Sequence, residues 1–211
     1  MAGTVRALQT PIMAKRRENR PPARRNNSAV RSREYLVPKE VEDMIGAARR
    51  AGGRLADRDA LLIILMYRHG LRVSEAIALR WDAADLKGGT LYVSRLKHGS
   101  SSTHPLRGPE LRAMAAWRRR QRDGAPYVFT SLRGGPMTRR TAHHVIAKVA
   151  RAAGLPLRVH PHMLRHATGY YLAASGQDTR AILLYLGHKN ISHTVRYTEQ
   201  SPARFKSFWT D

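Results

Sequence analysis

A few side chains could do chemistry once the general excess of basic charge is set aside. His162 and Arg165 stand three apart on one expected helix, so they share a face. An imidazole beside a guanidinium suits an anion whose protons have to be managed. Arg72 follows the helix stop Gly70-Leu71, with Glu75 three residues on. A guanidinium there can grip a phosphate at two points, which lysine cannot copy. It can equally form a structural ion pair with Glu75, and the two roles can coexist. His188 follows Gly187 at a helix end, and Tyr197 lies nine residues later. Lys97 falls in the turn Lys97-His98-Gly99-Ser100. Taken singly, each also reads as a packed histidine, a half-buried aromatic or a solvated turn lysine. Taken together they form one set of two arginines, a lysine, two histidines and a tyrosine.

The elements that must position these groups are legible from punctuation and periodicity. Pro38 opens a helix carrying Val41, Met44, Ile45 and Ala48 at helical spacing, and Gly52-Gly53 stop it. A second helix runs from Asp57 or Arg58 to His69, apolar over most of its surface and therefore central. A short third helix spans Val73 to Leu79. Thr90 to Leu106 reads as a β-hairpin with Lys97 near its tip. Pro109 opens a helix from Glu110 to Gln121, and Tyr127-Val128-Phe129 is a short strand or extended loop. Thr138 caps a helix to about Ala153, Pro161 opens another to Ser175-Gly176, and Asp178 caps one ending at Gly187. A further short helix ends at Tyr197. Ser201-Pro202 is the start signal of a last one.

Composition bounds the partner. The chain has 211 residues, with 38 Lys plus Arg against 15 Asp plus Glu, a formal charge of +23. Such charge is self-repelling unless a polyanion is bound, and nucleic acid is the first candidate. The absence of cysteine excludes a disulfide scaffold, a thiolate zinc site, an iron–sulfur cluster and a cysteine nucleophile. The longest apolar run, Ala60 to Tyr67, is far short of the roughly 20 residues a membrane span needs. Residues 1–35 carry nine basic and two acidic side chains and read as a flexible arm able to order on a nucleic-acid backbone. Arg16, Arg17, Arg24 and Arg25 in the arm are the expected backbone contacts, with Arg118, Arg119 and Arg120 on the helix that Pro109 opens. A steep loss of affinity with salt follows from such contacts.

In order and spacing, Gly70-Leu71-Arg72-Val73-Ser74-Glu75, Lys97 in its hairpin, His162-Met163-Leu164-Arg165-His166, Leu186-Gly187-His188 and Tyr197 resemble the catalytic domain of the tyrosine recombinases, the lambda-integrase family. The resemblance covers about residues 36–200. It implies an α+β, mostly helical fold with a small β-hairpin. It implies Tyr197 as the nucleophile that leaves a 3′-phosphotyrosine and a free 5′-hydroxyl; a free phenol has a pKa near 10 and needs help at neutral pH, and the cluster of cations would favour its ionised form. Arg72 and Arg165 would clamp the phosphate, Lys97 would protonate the leaving oxygen, His162 would help manage the tyrosine proton and His188 would bind the phosphate. Glu75 would support Arg72. No metal, ATP or other cofactor is implied.

Members of that family usually carry a separate N-terminal clamp domain, whereas about 35 residues precede the catalytic domain here. The short layout is similar to the fimbrial phase-variation recombinases, which implies inversion of a DNA segment, with integration or excision as alternatives. The implied partners are duplex DNA with specific sites, other copies of the chain in a tetramer, and accessory DNA-bending proteins. The implied place is the bacterial cytoplasm, at the nucleoid. Phe205, Phe208 and Trp209 share one face of the expected last helix within residues 201–211, suited to docking on their own domain or on a neighbouring protomer. Three other readings remain: a catalytically silent DNA-binding regulator, a type IB topoisomerase-like enzyme, and a metal-dependent hydrolase built on His160, His162 and His166 or His143-His144.

Overall fold

The computed structural model describes residues 33–95 and 99–199. Lys97, the arm arginines Arg16, Arg17, Arg24 and Arg25, and the segment with Phe205, Phe208 and Trp209 lie outside the described residues.

Eight helices and three short strands make up the described chain: α1 (Pro38–Arg50), α2 (Ala56–Arg68), α3 (Val73–Ile77), β1 (Ala84–Asp85), β2 (Thr90–Val93), β3 (Ser102–Pro105), α4 (Gly108–Arg120), α5 (Arg139–Ala152), α6 (Pro161–Ala174), α7 (Thr179–Leu186) and α8 (Ser192–Thr198). This is the mostly helical α+β class that the sequence implied. The same start device recurs three times. Glu40, Glu75 and Glu110 each accept the backbone N–H three residues earlier, from Val37, Arg72 and Arg107, satisfying a donor that a helix start leaves unpaired. Asp178 does the same for Arg180 and Ala181 at α7.

Helix α2 is the axis of the core, as its uninterrupted apolar run requires. Ala60 to Met66 are all buried, and α1, α4 and α6 pack around them. Its end, His69-Gly70-Leu71, is therefore fixed from several sides, and Arg72 leaves from that fixed point. A second, smaller apolar cluster joins α6, α7 and α8 through Ala173, Ile182, Leu186 and Tyr197.

Helix α3 ends at Ile77, two residues before the expected Leu79. The backbone turns away there to pair elsewhere: the Leu79 carbonyl accepts the Val128 N–H at 2.8 Å, and the Trp81 N–H donates to Pro126 at 3.0 Å. The segment at Tyr127 is thus extended, joined to Arg80 by a single bridge. The expected hairpin is part of a three-stranded antiparallel sheet, order β1-β2-β3, because Ala84 and Asp85 add an edge to Leu91 and Thr90. The register places Leu91 opposite His104 and Val93 opposite Ser102. Alternation along β2 turns Leu91, Val93 and then Arg95 inward.

Candidate active site

Arg72, His162, Arg165, His188 and Tyr197 come together on one cleft of about 320 Å³, although they leave four different segments of the chain. His166, Lys189, His193 and Arg196 line it as well. Among the described residues no carboxylate lines the cleft, so its walls are cationic or neutral throughout. Arg118, Arg119 and Arg120 are not among its lining. Arg118 lies over the Trp81 ring at 4.6 Å, and Arg120 pairs with Asp57 at 2.8 Å.

The two arginines are held differently. The Arg72 side chain is part-exposed and gives one Nη1 hydrogen bond to Glu75 Oε1, 2.8 Å. Its remaining donors have no partner among the described residues and can meet a ligand. Arg165 is buried. It donates through Nη1 to the Gly70 carbonyl and through Nη2 to the Leu186 carbonyl at 2.6 Å. Burial, with Arg72 and Arg95 nearby, pushes Arg165 down to about 9, which leaves it cationic at neutral pH. Glu75 is buried, which would raise a carboxyl. The Arg72 N–H and the guanidiniums of Arg95 and Arg72 outweigh that and hold it below its ordinary value. It is a permanent anion that anchors one cation of the cleft.

His188 owes its position to Gly187, which caps α7 in the left-handed region at φ 64°. A side chain at Gly187 would also meet the stem of Arg95, with a Cβ 2.6 Å from its Cγ. His188 Nδ1 lies 2.8 Å from Thr194 Oγ1, and its ring stacks with Tyr197 at 6.3 Å between centroids.

Tyr197 is only 2% exposed. Its ring sits against Gly169 of α6 and edge-on to Tyr170 at 5.1 Å. Its hydroxyl lies 2.9 Å from Nδ1 of His166. Arg196 Nη2 lies 2.7 Å from that nitrogen and 3.0 Å from Nε2, so it sits across the ring rather than on one lone pair. In the tautomer that carries its proton on Nε2, Nδ1 offers its lone pair and the phenol donates to it. His162, the histidine that the sequence put forward for the tyrosine proton, is one turn earlier and solvent-exposed, its ring 6.4 Å from that of His166. His166 was within reach of sequence reasoning, since it is i+4 from His162 on the same face, but its partner is 31 residues away.

The positive field does not by itself ionise the phenol. Burial raises Tyr197 above the ordinary phenol value, and Arg196 and Arg165 offset only part of that. The expectation that the cations favour phenolate is thus corrected for the free protein: desolvation wins. The same burial, with Arg196 and His162 adding to it, pushes His166 down to about 3. His188 is pushed down to about 3 by burial, Arg165 and Arg72. Both imidazoles are neutral at rest. Among the described residues no group of three His, Cys, Asp or Glu is placed to hold a metal ion, and the His160, His162 and His166 rings are spread 6.3 and 6.4 Å apart in sequence.

Two more histidines are buried neutral. His69 and His104 face each other at 3.3 Å between Nδ1 atoms; burial is the main cause that pushes them to about 3 and about 4. An unfolded chain takes up these protons near pH 6.5, whereas the folded chain does not until pH 3–4. Stability is therefore fully present above pH 6.5 and lost as the pH falls towards 4, with His69 alone contributing up to about 1.4 kcal/mol per pH unit. Calorimetry at pH 7.5, 6 and 5 is expected to show a steadily falling Tm. A flat profile would mean that these rings are not held neutral.

A model of the phage integrase family matches residues 34–204. The chain is 44% identical over 182 residues to the type 1 fimbriae regulatory protein FimE of Escherichia coli strain K12, covering 84% of this chain and 91% of that one. It is 40% identical over 189 residues to the type 1 fimbriae regulatory protein FimB of the same strain, covering 88% and 94%. Tyrosine recombinase XerD of Mycobacterium leprae is 31% identical over 177 residues, 79% of this chain and 56% of that one. Among solved structures, the XerA recombinase superposes with a TM-score of 0.70 at 24% identity, covering 80% of this chain and 61% of its own. The XerH site-specific recombinase bound to its difH substrate gives 0.69 at 20% identity, covering 79% and 50%. These structural likenesses bear on the fold.

Proposed function

The chain belongs to the phage integrase family, and on that premise we propose that it is a site-specific DNA recombinase that cuts and rejoins strands through a phosphotyrosine at Tyr197. The observation that carries this reading is the cleft in which a phenol, three arginines and four histidines converge with no carboxylate among the described residues that line it.

The scissile phosphate takes the place of the missing anion. Arg72 and Arg165 bind its non-bridging oxygens and neutralise the charge that grows on them as Tyr197 Oη attacks phosphorus. The phenolic proton passes to His166 Nδ1. The imidazolium so formed is disfavoured in the empty site but is balanced by the extra charge on the phosphorane. The bond to the 5′-oxygen breaks, and that oxygen leaves with a proton from Lys97. The phosphotyrosine keeps the energy of the broken phosphodiester, so the reverse attack by a 5′-hydroxyl reseals the strand without ATP. His188 binds the phosphate, and His162 at the cleft mouth supplies a further contact.

Exchange of two duplexes needs four strand cuts, and each chain offers one such tyrosine, so the working unit is a tetramer on two paired sites. Similarity to two fimbriae regulatory proteins favours inversion of a DNA segment over integration or excision. The test is to recover protein-linked DNA from cells, digest it, and identify both the modified residue and the attached sequence. A phosphotyrosine at 197 on one recurrent sequence is expected. Adducts spread over unrelated sequences would point to a topoisomerase, and an absence of adducts to a silent DNA-binding protein.

Gly169 gives a sharper check on the docking of the nucleophile. A Cβ at this position would sit 2.6 to 2.7 Å from three atoms of the Tyr197 ring. Gly169→Ala improves helix propensity by about 1 kcal/mol and yet must displace the phenol. A shift of about 1 Å at a reacting group can cost about 100-fold in rate. The adduct-forming rate is expected to drop by one to two orders of magnitude at unchanged helix content by circular dichroism. A wild-type rate would mean that this docked position is not the one from which Tyr197 reacts.

A further inference from the structure

Arg95 follows β2, two residues before Lys97, and its side chain has no exposed surface. It is not among the described residues that line the cleft. Instead it gathers acceptors from three places. Nη1 donates to Glu75 Oε2 at 2.9 Å and reaches the Gly70 carbonyl at 3.4 Å. Nη2 donates to the carbonyls of His69 at 3.1 Å and Tyr185 at 2.5 Å. Three of these four acceptors lead to a residue of the cleft. Glu75 holds Arg72, Gly70 also accepts from Arg165, and Tyr185 precedes Leu186, the other acceptor of Arg165. Gly99 and Gly187 close on the stem of Arg95 from the cleft side; a Cβ on Gly99 would lie 2.8 Å from both Arg95 Cβ and the Gly187 carbonyl.

A buried cation here is a poor choice for stability alone. Its inward neighbours on the strand, Leu91 and Val93, are apolar, and an apolar residue in their line would avoid the desolvation cost. We infer that Arg95 is a positioning residue for the phosphate clamp, tying the end of α2, Glu75 and the end of α7 together so that Arg72 and Arg165 keep one fixed spacing. The inference deepens the recombinase reading and rests on it.

Arg95→Lys keeps a positive charge facing Glu75 but cannot span the carbonyls. It is to be compared with the wild-type chain on a nicked duplex of the sequence recovered with the wild-type protein. Two forms of that duplex are needed, one with an ordinary scissile phosphodiester and one with a neutral methylphosphonate there. The methylphosphonate has lost an anionic oxygen and asks less of the clamp. On the phosphodiester the variant is expected to form adduct about 100-fold more slowly, the scale of one lost electrostatic contact in a transition state. On the methylphosphonate the deficit should shrink to less than about tenfold on the same scale, with DNA affinity unchanged. A variant as fast as wild type on the phosphodiester would overturn the inference. So would an equal deficit on both substrates, or a chain that does not fold, since either makes Arg95 a general structural support. If the wild-type chain forms no adduct on the phosphodiester, the recombinase reading itself fails; if it does and the variant matches it, only the role of Arg95 falls.

Discussion

Tyr197→Phe is expected to bind DNA as the wild-type chain does and to form no covalent adduct at all. The ring of phenylalanine fills the same space against Gly169 and Tyr170, so the α6–α7–α8 cluster stays packed. The fold loses one hydrogen bond, from the hydroxyl to His166, which is worth about 1 kcal/mol. The chemistry loses its nucleophile outright. The measurement is adduct yield on a nicked duplex that releases a short fragment after cleavage and so traps the intermediate. Residual adduct in the variant would identify another nucleophile and sink the assignment. Because the phenol is buried and its pKa raised, the wild-type rate is also expected to depend on DNA occupying the cleft rather than on a pre-ionised tyrosine.

Arg165→Gln should combine a large loss of rate with a measurable loss of stability. Glutamine cannot reach both the Gly70 and Leu186 carbonyls, and an unmet buried acceptor costs about 1–3 kcal/mol. It also removes a buried cation from the point where charge grows on phosphorus, which should slow adduct formation by at least about 100-fold. Binding to long duplex DNA should change little, because most of the affinity comes from the other cations of a chain with charge +23. The rate is to be read at a temperature where circular dichroism shows the variant folded. A folded variant that cleaves within threefold of wild type, about 0.6 kcal/mol by the rate relation, would remove Arg165 from the clamp.

Much of the scaffold could be read from short-range signals. Pro38, Pro161, Thr138, Asp178, Gly70 and Gly187 punctuate helices by local chemistry, and the structure starts and stops helices beside them. The edge strand at Ala84 escaped because two residues carry no alternation to read. The end of α3 was misjudged because its stop is a backbone pairing with Val128, 49 positions away. The arrangement of the site was less legible for the same reason. His166 could be placed on the right helix face, but its hydrogen bond to Tyr197 depends on how α8 packs on α6. Arg95 did leave a trace: it continues the inward alternation of Leu91 and Val93, and a charged residue in that line calls for a buried acid. The acid, Glu75, lies 20 residues earlier on a helix whose position the sequence does not state.

The guanidiniums of Arg95 and Arg165 hold peptide carbonyls at residues 69, 70, 185 and 186, and among the described residues Glu75 is the one side chain that accepts from them. A carbonyl is present whatever residue the codon specifies. Substitutions at 69 or 185 therefore leave the acceptor in place so long as the backbone follows the same path. The outline of the site is thereby passed on largely as a chain trajectory. Descendants of this sequence can change the side chains around it without rebuilding the backbone that holds the two guanidiniums.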